Sequence, residues 1–269
     1  MDALTAFTNH FNIGLSTSPR NLLGDVVRAF ACLPYENITK IIKRAESGSP
    51  EKARRRPGEV VRDHIEWGTG GTCFSLTCTL LQLVRALGWQ AEPILADRRY
   101  GQDTHCALLV WIDGIPHLLD PGFLIIDPIP LSGSETQVET GFHRLILEPE
   151  SREGRIALST VRRSSKTYRL TYKASPVDER EFLKAWDASF GWDMMQYPLL
   201  TRTDASGQIY LRGSRLQMSK ADSVVKREIA REDLIPRISA EFGIHPALVA
   251  RAISILKRGR PSGGEAPNR

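Results

Sequence analysis

A cysteine, a histidine and an aspartate occupy positions in this chain where an acyl-transfer site would need them. Cys73 directly follows Gly70-Gly71-Thr72, His105 opens the apolar run 105–112, and Asp120 closes the run 115–120. Only a thiolate attacks a carbonyl, and a free thiol with its ordinary pKa of about 8.5 is mostly protonated at neutral pH. Histidine can take that proton, while a carboxylate orients the ring and stabilises its charged form. Each residue alone has a plainer reading. A free cysteine is most often core, a histidine can end a strand, and an aspartate before Pro121-Gly122 can open a turn. Together the three favour catalysis.

A helix and a hairpin must position them. From Cys73 the apolar positions Leu76, Leu80, Val84 and Leu87 recur at three- and four-residue steps before Gly88, which predicts an amphipathic helix over 73–87. Cys73 then sits in the first turn, where unpaired N–H groups and the helix dipole favour a thiolate or an oxyanion. Gly70 and Gly71, having no Cβ, are expected to let a substrate approach the backbone before the sulfur. The runs 105–112 and 115–120 are separated by Asp113-Gly114, a two-residue hairpin signal. If Ile112 pairs with Ile115, Asp120 lies opposite Ala107, with His105 its diagonal neighbour on the same face. A loop one residue longer would turn Asp120 to the other face. His117 falls opposite Val110 on that other face and is a poor rival base. His10, His64, His143 and His245 stand in no motif.

Leu33-Pro34-Tyr35-Glu36-Asn37, Gly70-Gly71-Thr72-Cys73-Phe74, Thr104-His105 and Asp120-Pro121-Gly122-Phe123 resemble the ordered motifs of the arylamine N-acetyltransferases. Pro198-Leu199-Leu200-Thr201-Arg202, the turn at 204–207, Ile209-Tyr210-Leu211-Arg212-Gly213 and Glu241-Phe242-Gly243-Ile244 extend the resemblance over residues 34–244. It implies an α+β fold with a cysteine-protease or transglutaminase-like core, and a Cys73–His105–Asp120 triad. It also implies ping-pong transfer of an acetyl or other acyl group from acyl-CoA, a co-substrate rather than a bound cofactor, to an arylamine or hydrazine. Gly71, Thr72, Phe74, Thr104, Gly122, Phe123 and Tyr35 are the expected substrate contacts, with Trp67 and Trp192 as further pocket candidates. The chain departs from the family pattern at Thr69, Ser75, Thr77 and Pro121, where an arginine before the glycine pair, a glutamate and an asparagine are usual among the first three. Glu36 therefore needs another cationic partner, for which Arg62 is a candidate. Alternative readings are an amide synthase acting on an acyl chain held by a carrier protein, a transglutaminase-like hydrolase or amidase, and a binding protein that has lost catalysis.

The 269 residues, 41% of them hydrophobic, are enough for a substantial core in two or three small domains. Residues 1–88 read as a helical domain carrying the nucleophile, 89–175 as a β-barrel-like domain carrying histidine and aspartate, and 176–259 as an α/β lid. A disordered tail is expected over 260–269. No apolar run is long enough to span a membrane, and the first residues lack the features of a signal peptide, so a cytoplasmic protein is expected. Cys32, Cys73, Cys78 and Cys106 have neither zinc-like nor disulfide-framework spacing, and Cys78 and Cys106 read as core. No metal is expected. The net charge of +5 is dispersed among 31 acids without a nucleic-acid-binding module. Such an excess suits steering of phosphates on a CoA-type donor or of an acidic carrier.

Overall fold

The structure, a computed structural model, describes residues 2–258 except 16, 17, 124, 132, 140–143, 152, 153, 163, 164, 205, 206, 221 and 222. The tail expected over 260–269 and His143 lie outside the described residues. Helices α1 (Ala3–His10), α2 (Pro19–Phe30), α3 (Ile38–Ser47), α4 (Pro50–Ala53), α5 (Pro57–Trp67) and α6 (Cys73–Ala86) precede the main sheet. That sheet comprises β2 (Ala91–Arg98), β3 (Gly101–Ile112), β4 (Ile115–Asp120), β5 (Ile125–Pro130), β6 (Thr136–Glu139), β7 (Arg144–Pro149), β8 (Arg155–Arg162) and β9 (Ser165–Lys173). A second sheet joins β1 (Tyr35–Glu36) to β10 (Leu199–Asp204), β11 (Gly207–Arg212), β12 (Arg215–Ser219) and β13 (Val224–Glu228). Helix α7 (Glu179–Ala188) links the sheets, and α8 (Leu234–Phe242) and α9 (Pro246–Arg258) follow.

The eight strands run in the order β5-β4-β3-β2-β9-β8-β7-β6, each antiparallel to its neighbour. Leu118 and Ile125 from one end of that order share a core with Leu145 and Leu158 from the other, so the sheet curls around its own interior. Its opposite face, at Leu108, Val110 and Leu119, packs on Leu76, Leu80, Leu83 and Val84 of α6. The periodicity that makes α6 a helix is thus also what docks it against β3. Gly88 follows with φ 88°, in the left-handed region that ends helices.

A third core joins Ile38, Ile41 and Ile42 of α3 to Leu200, Leu211 and Leu216 of the second sheet and to Ile238, Val249 and Ile253. The early residues are not wholly helical, because Tyr35 and Glu36 pair with Thr201 and Leu200 as an added strand. Asn37 fixes this junction. Its side chain donates to the carbonyls of Met194 and Tyr197 and accepts the Leu199 N–H at 2.8 Å. No described helix is long and apolar enough to cross a membrane.

Candidate active site

The hairpin register is the one its turn residues demand. Ile112 pairs with Ile115 and the ladder continues to Leu108 and Leu119, while Asp113 and Gly114 both have positive φ. One step further along, Asp120 comes opposite Ala107, and His105 Nε2 lies 2.7 Å from Asp120 Oδ2. The same carboxylate oxygen accepts the Tyr172 hydroxyl at 2.6 Å, and Oδ1 accepts the Gly122 and Phe123 N–H groups at 2.7 and 3.2 Å. Four donors therefore satisfy a carboxylate that is 0% exposed. Burial works against its charge, but His105, Tyr172 and the Gly122 amide hold the pKa of Asp120 below the usual range. Burial likewise opposes a charged His105, yet Asp120 raises its pKa. A Cβ on Gly122 would lie 2.8 Å from His105 Cε1, so glycine at this position lets the ring sit against the turn. His117, opposite Val110, turns Nδ1 to the Ile115 carbonyl and takes no part.

Cys73 is the first residue of α6. Thr72 precedes it at the N-cap and supplies no side-chain cap to the first-turn N–H groups. The sulfur interacts with the side chains of Cys106 and His105, in that order of effect. Together they bring the thiol well below its ordinary pKa despite burial. The thiol of Cys106 moves the opposite way, pushed well up by burial and by Cys73. A protonated Cys106 beside an ionisable Cys73 is a hydrogen-bond donor facing a thiolate. Cys78 is also pushed up, to about 11, by burial, as befits a core thiol.

Cys73 and His105 are nearly covered, at 2% and 1% exposure. Tyr35, Arg98, Gly122 and Phe123 are half-buried beside them. The Phe123 ring meets His105 edge-on at 5.3 Å. Phe74 is fully buried among Phe182, Trp186 and Trp192 and forms the wall behind the sulfur. Lys40 donates to Ser189 in this region, and burial lowers its pKa to about 8. Thr104 uses its hydroxyl on the Gly101 carbonyl and the Arg98 N–H, which secures the β2–β3 turn. Trp67 packs on His245 at 4.9 Å instead of joining this cluster.

The glycine pair answers to packing. A Cβ on Gly70 would lie 1.9 Å from the Pro34 carbonyl oxygen, and one on Gly71 would lie 2.2 Å from Ser75 Oγ. Close backbone contact with the Tyr35 segment, through Gly71 N–H to Pro34 and Glu36 N–H to Gly71, requires Gly70, while Gly71 leaves room for the Ser75 side chain. The partner of Glu36 is Arg55, at 3.6 Å, and not Arg62, which is 68% exposed beside Asp63. Arg55 also donates to Gly70 O, to Thr39 Oγ1 at 2.8 Å and to Asp63 at 2.8 Å. It brings an arginine to the glycine pair although Thr69 stands before it. Ser75 Oγ donates to Thr72 O at 3.0 Å and Thr77 Oγ1 to Cys106 O at 3.3 Å, so both departures are hydrogen-bonded locally.

Three neighbours escape a reading of the sequence. Tyr172 reaches Asp120 because β2 lies between β3 and β9, with Ala96 paired to His105 on one side and to Tyr172 on the other. That row of three strands has no local signal. Arg98, whose Nη2 lies 3.1 Å from His105 Nδ1, is equally silent in sequence. Cys106 has one available signal. It follows His105 in the strand, and alternation sends it to the face that meets α6.

Comparisons with known proteins bear on the family and the fold. A family model described as N-acetyltransferase matches residues 22–249. Proansamycin X synthase of Amycolatopsis mediterranei (strain S699) is 27% identical over 209 residues, 73% of this chain and 76% of that protein. The solved structure of Mycobacterium marinum arylamine N-acetyltransferase matches with TM-score 0.79 and 16% identity, over 95% of this chain and 98% of its own; that enzyme is also solved in complex with CoA. Nocardia farcinica arylamine N-acetyltransferase matches with TM-score 0.78 and 20% identity, over 95% of each chain. At such identities the structural likeness establishes the fold, which is transglutaminase-like.

Proposed function

The chain belongs to the arylamine N-acetyltransferase family, and from that premise we propose that it carries an acyl group from acyl-CoA, through a thioester on Cys73, to an arylamine or hydrazine. The observation that carries the reading is the buried His105–Asp120 pair, 2.7 Å apart, beside a thiol of lowered pKa at the start of α6. Cys73 gives its proton to His105, and the thiolate attacks the thioester carbonyl. First-turn N–H groups of α6 receive the developing oxyanion. The carbon–sulfur bond to CoA breaks, and the CoA sulfur takes the proton from His105 and leaves as a thiol. An amine then attacks the Cys73 thioester, His105 accepts the proton from its nitrogen, and the amide departs as the sulfur is reprotonated. Asp120 remains ionised throughout and holds the imidazole in place.

Aromatic side chains at Tyr35, Phe74, Phe123 and Trp192 suit a flat acceptor. CoA bound to the mycobacterial relative supports the donor. The likeness to proansamycin X synthase favours a second reading of the donor alone, an acyl chain on a carrier protein. Intact-mass analysis after incubation with acetyl-, propionyl- and longer acyl-CoA tests the first reading. The wild type gains one acyl group per chain, lost in Cys73→Ala. If no donor leaves a mass on Cys73, the proposal fails; an adduct formed only from acyl-carrier protein transfers it to the second donor.

A further inference from the structure

Arg98 differs from Arg54, Arg55 and Arg155 in its partners. Arg54 pairs with Asp187, Arg55 with Glu36 and Asp63, and Arg155 with Asp97. Arg98, half-buried at the end of β2, has no carboxylate partner among the described residues. Its guanidinium meets the Tyr100 hydroxyl at 2.7 Å, His105 Nδ1 at 3.1 Å and the face of Phe123 at 5.9 Å. A guanidinium can only donate, so the contact at Nδ1 requires the lone pair there and the imidazole proton on Nε2, where it is given to Asp120. With Nε2 committed to Asp120, Nδ1 is also the nitrogen that must receive the thiol proton.

We propose that Arg98 is a fourth functional residue of the site, holding His105 in its proton-accepting form while its charge stabilises the Cys73 thiolate. The proposal rests on the reading of Cys73 and His105 given above. In the resting arrangement the guanidinium fills the Nδ1 lone pair. As Cys73 passes its proton to Nδ1, the Arg98–Nδ1 hydrogen bond breaks and the cation is left beside the new anion. Once the sulfur is acylated it carries no charge, and Arg98 returns to Nδ1, keeping the imidazole neutral until an amine arrives to yield its proton. A cation in this position favours both deprotonated forms, thiolate and neutral imidazole, and lowers both pKa values. Removing it therefore raises both. The other titratable and charged groups facing the pair are Asp120 of β4, Tyr172 of β9, Cys106 of β3, Tyr35 of β1, Lys40 of α3 and Tyr100 in the β2–β3 turn. All remain when Arg98 is replaced.

Two pH profiles on the full-length protein test this. The first is the alkylation rate of Cys73 by iodoacetamide, followed on the Cys73 peptide by mass spectrometry. The second is amide formation from preformed acyl-enzyme and an arylamine. In Arg98→Gln the acid limbs of both move to higher pH by about one unit, the scale of a single nearby charge. Arg98→Lys, which keeps the charge, leaves both close to wild type. Should the Gln variant not fold, Arg98→Met reads the same limbs. Limbs unmoved in the neutral variant, with rates merely scaled, overturn the proposal, as does a Lys variant displaced as far as Gln. If the wild type forms no acyl-enzyme, the parent reading fails instead, and the alkylation limb still reports whether Arg98 acts on the sulfur.

Discussion

Asp120 is the residue on which the geometry converges, since it takes four hydrogen bonds from three elements and aligns the imidazole with one of them. Asp120→Asn keeps the shape but loses the charge and the correct tautomer. Turnover with acyl-CoA and an arylamine falls by about three to four orders of magnitude, the scale known for this change in a comparable triad. The same variant has a pH signature in stability. The pKa of Asp120 is lowered by folding, so its contribution is complete above its unfolded value of about 4 and is lost as pH falls through the folded one. The pKa of His105 is raised, so its contribution is complete below about 6.5 and fades as pH rises through its folded value. Urea denaturation of wild type and variant therefore differs more at pH 5.5 than at pH 8.5. An equal difference at both would mean that the pair is not coupled in the folded state. Gly122→Ala acts on the same ring from outside. Its Cβ would lie 2.8 Å from His105 Cε1 and 3.1 Å from Asp120 Oδ1, so kcat falls at least tenfold while the melting temperature changes little. Unchanged kcat would show that the ring has room to move.

At the scale of elements, the parts readable in advance are those set by local rules. Asp113-Gly114 fixes a hairpin, the hairpin fixes which residues share a face, and Asp120 thereby meets His105. The start of α6 follows from the spacing of Leu76, Leu80 and Val84. Arg55 illustrates the remainder. It stands in the basic stretch Lys52 to Arg56, yet α4 and α5 carry it inward until it is 3% exposed against Glu36 and Gly70. Nothing local distinguishes it from Arg54 or Arg56. Tyr172 is hidden for a similar reason, because pairing of β2 with β9 brings Ala96 beside Tyr172 from a distant segment, and the alternation within each strand does not specify its partner; Arg98 lies at the irregularity in the β2–β3 pairing, which regular alternation does not anticipate. Arg55→Met tests the connector as an element. It leaves Glu36 buried without its cation and costs about 3–5 kcal/mol in urea denaturation. A loss below about 1 kcal/mol, within the range of a surface pair, would mean that Arg55 does not hold the glycine loop.

At the scale of the whole molecule, three packed bodies meet around the sulfur: helices with α6, the curled sheet with β3 and β4, and the second sheet tied in through β1 and Asn37. Cys73, the first residue of α6, sits at their junction, in a separate cluster with Phe74, Trp186 and Phe190. This explains how one architecture covers the thiol almost completely yet leaves Tyr35, Arg98 and Phe123 half-buried beside it. It also explains why the resemblance runs from the early Pro34-Tyr35-Glu36-Asn37 segment into the last third of the chain, since those residues join bodies distant in sequence. In the proposed reaction Cys73 holds the acyl group between donor and acceptor. The most direct test is to acylate the wild type with acyl-CoA, remove all CoA by gel filtration, and add an arylamine. One equivalent of amide forms per acyl group, and the Cys73 peptide returns at the same time to its unmodified mass. Release of free acid in place of amide, or amide formed only when acyl-CoA is added back, would contradict this role of Cys73.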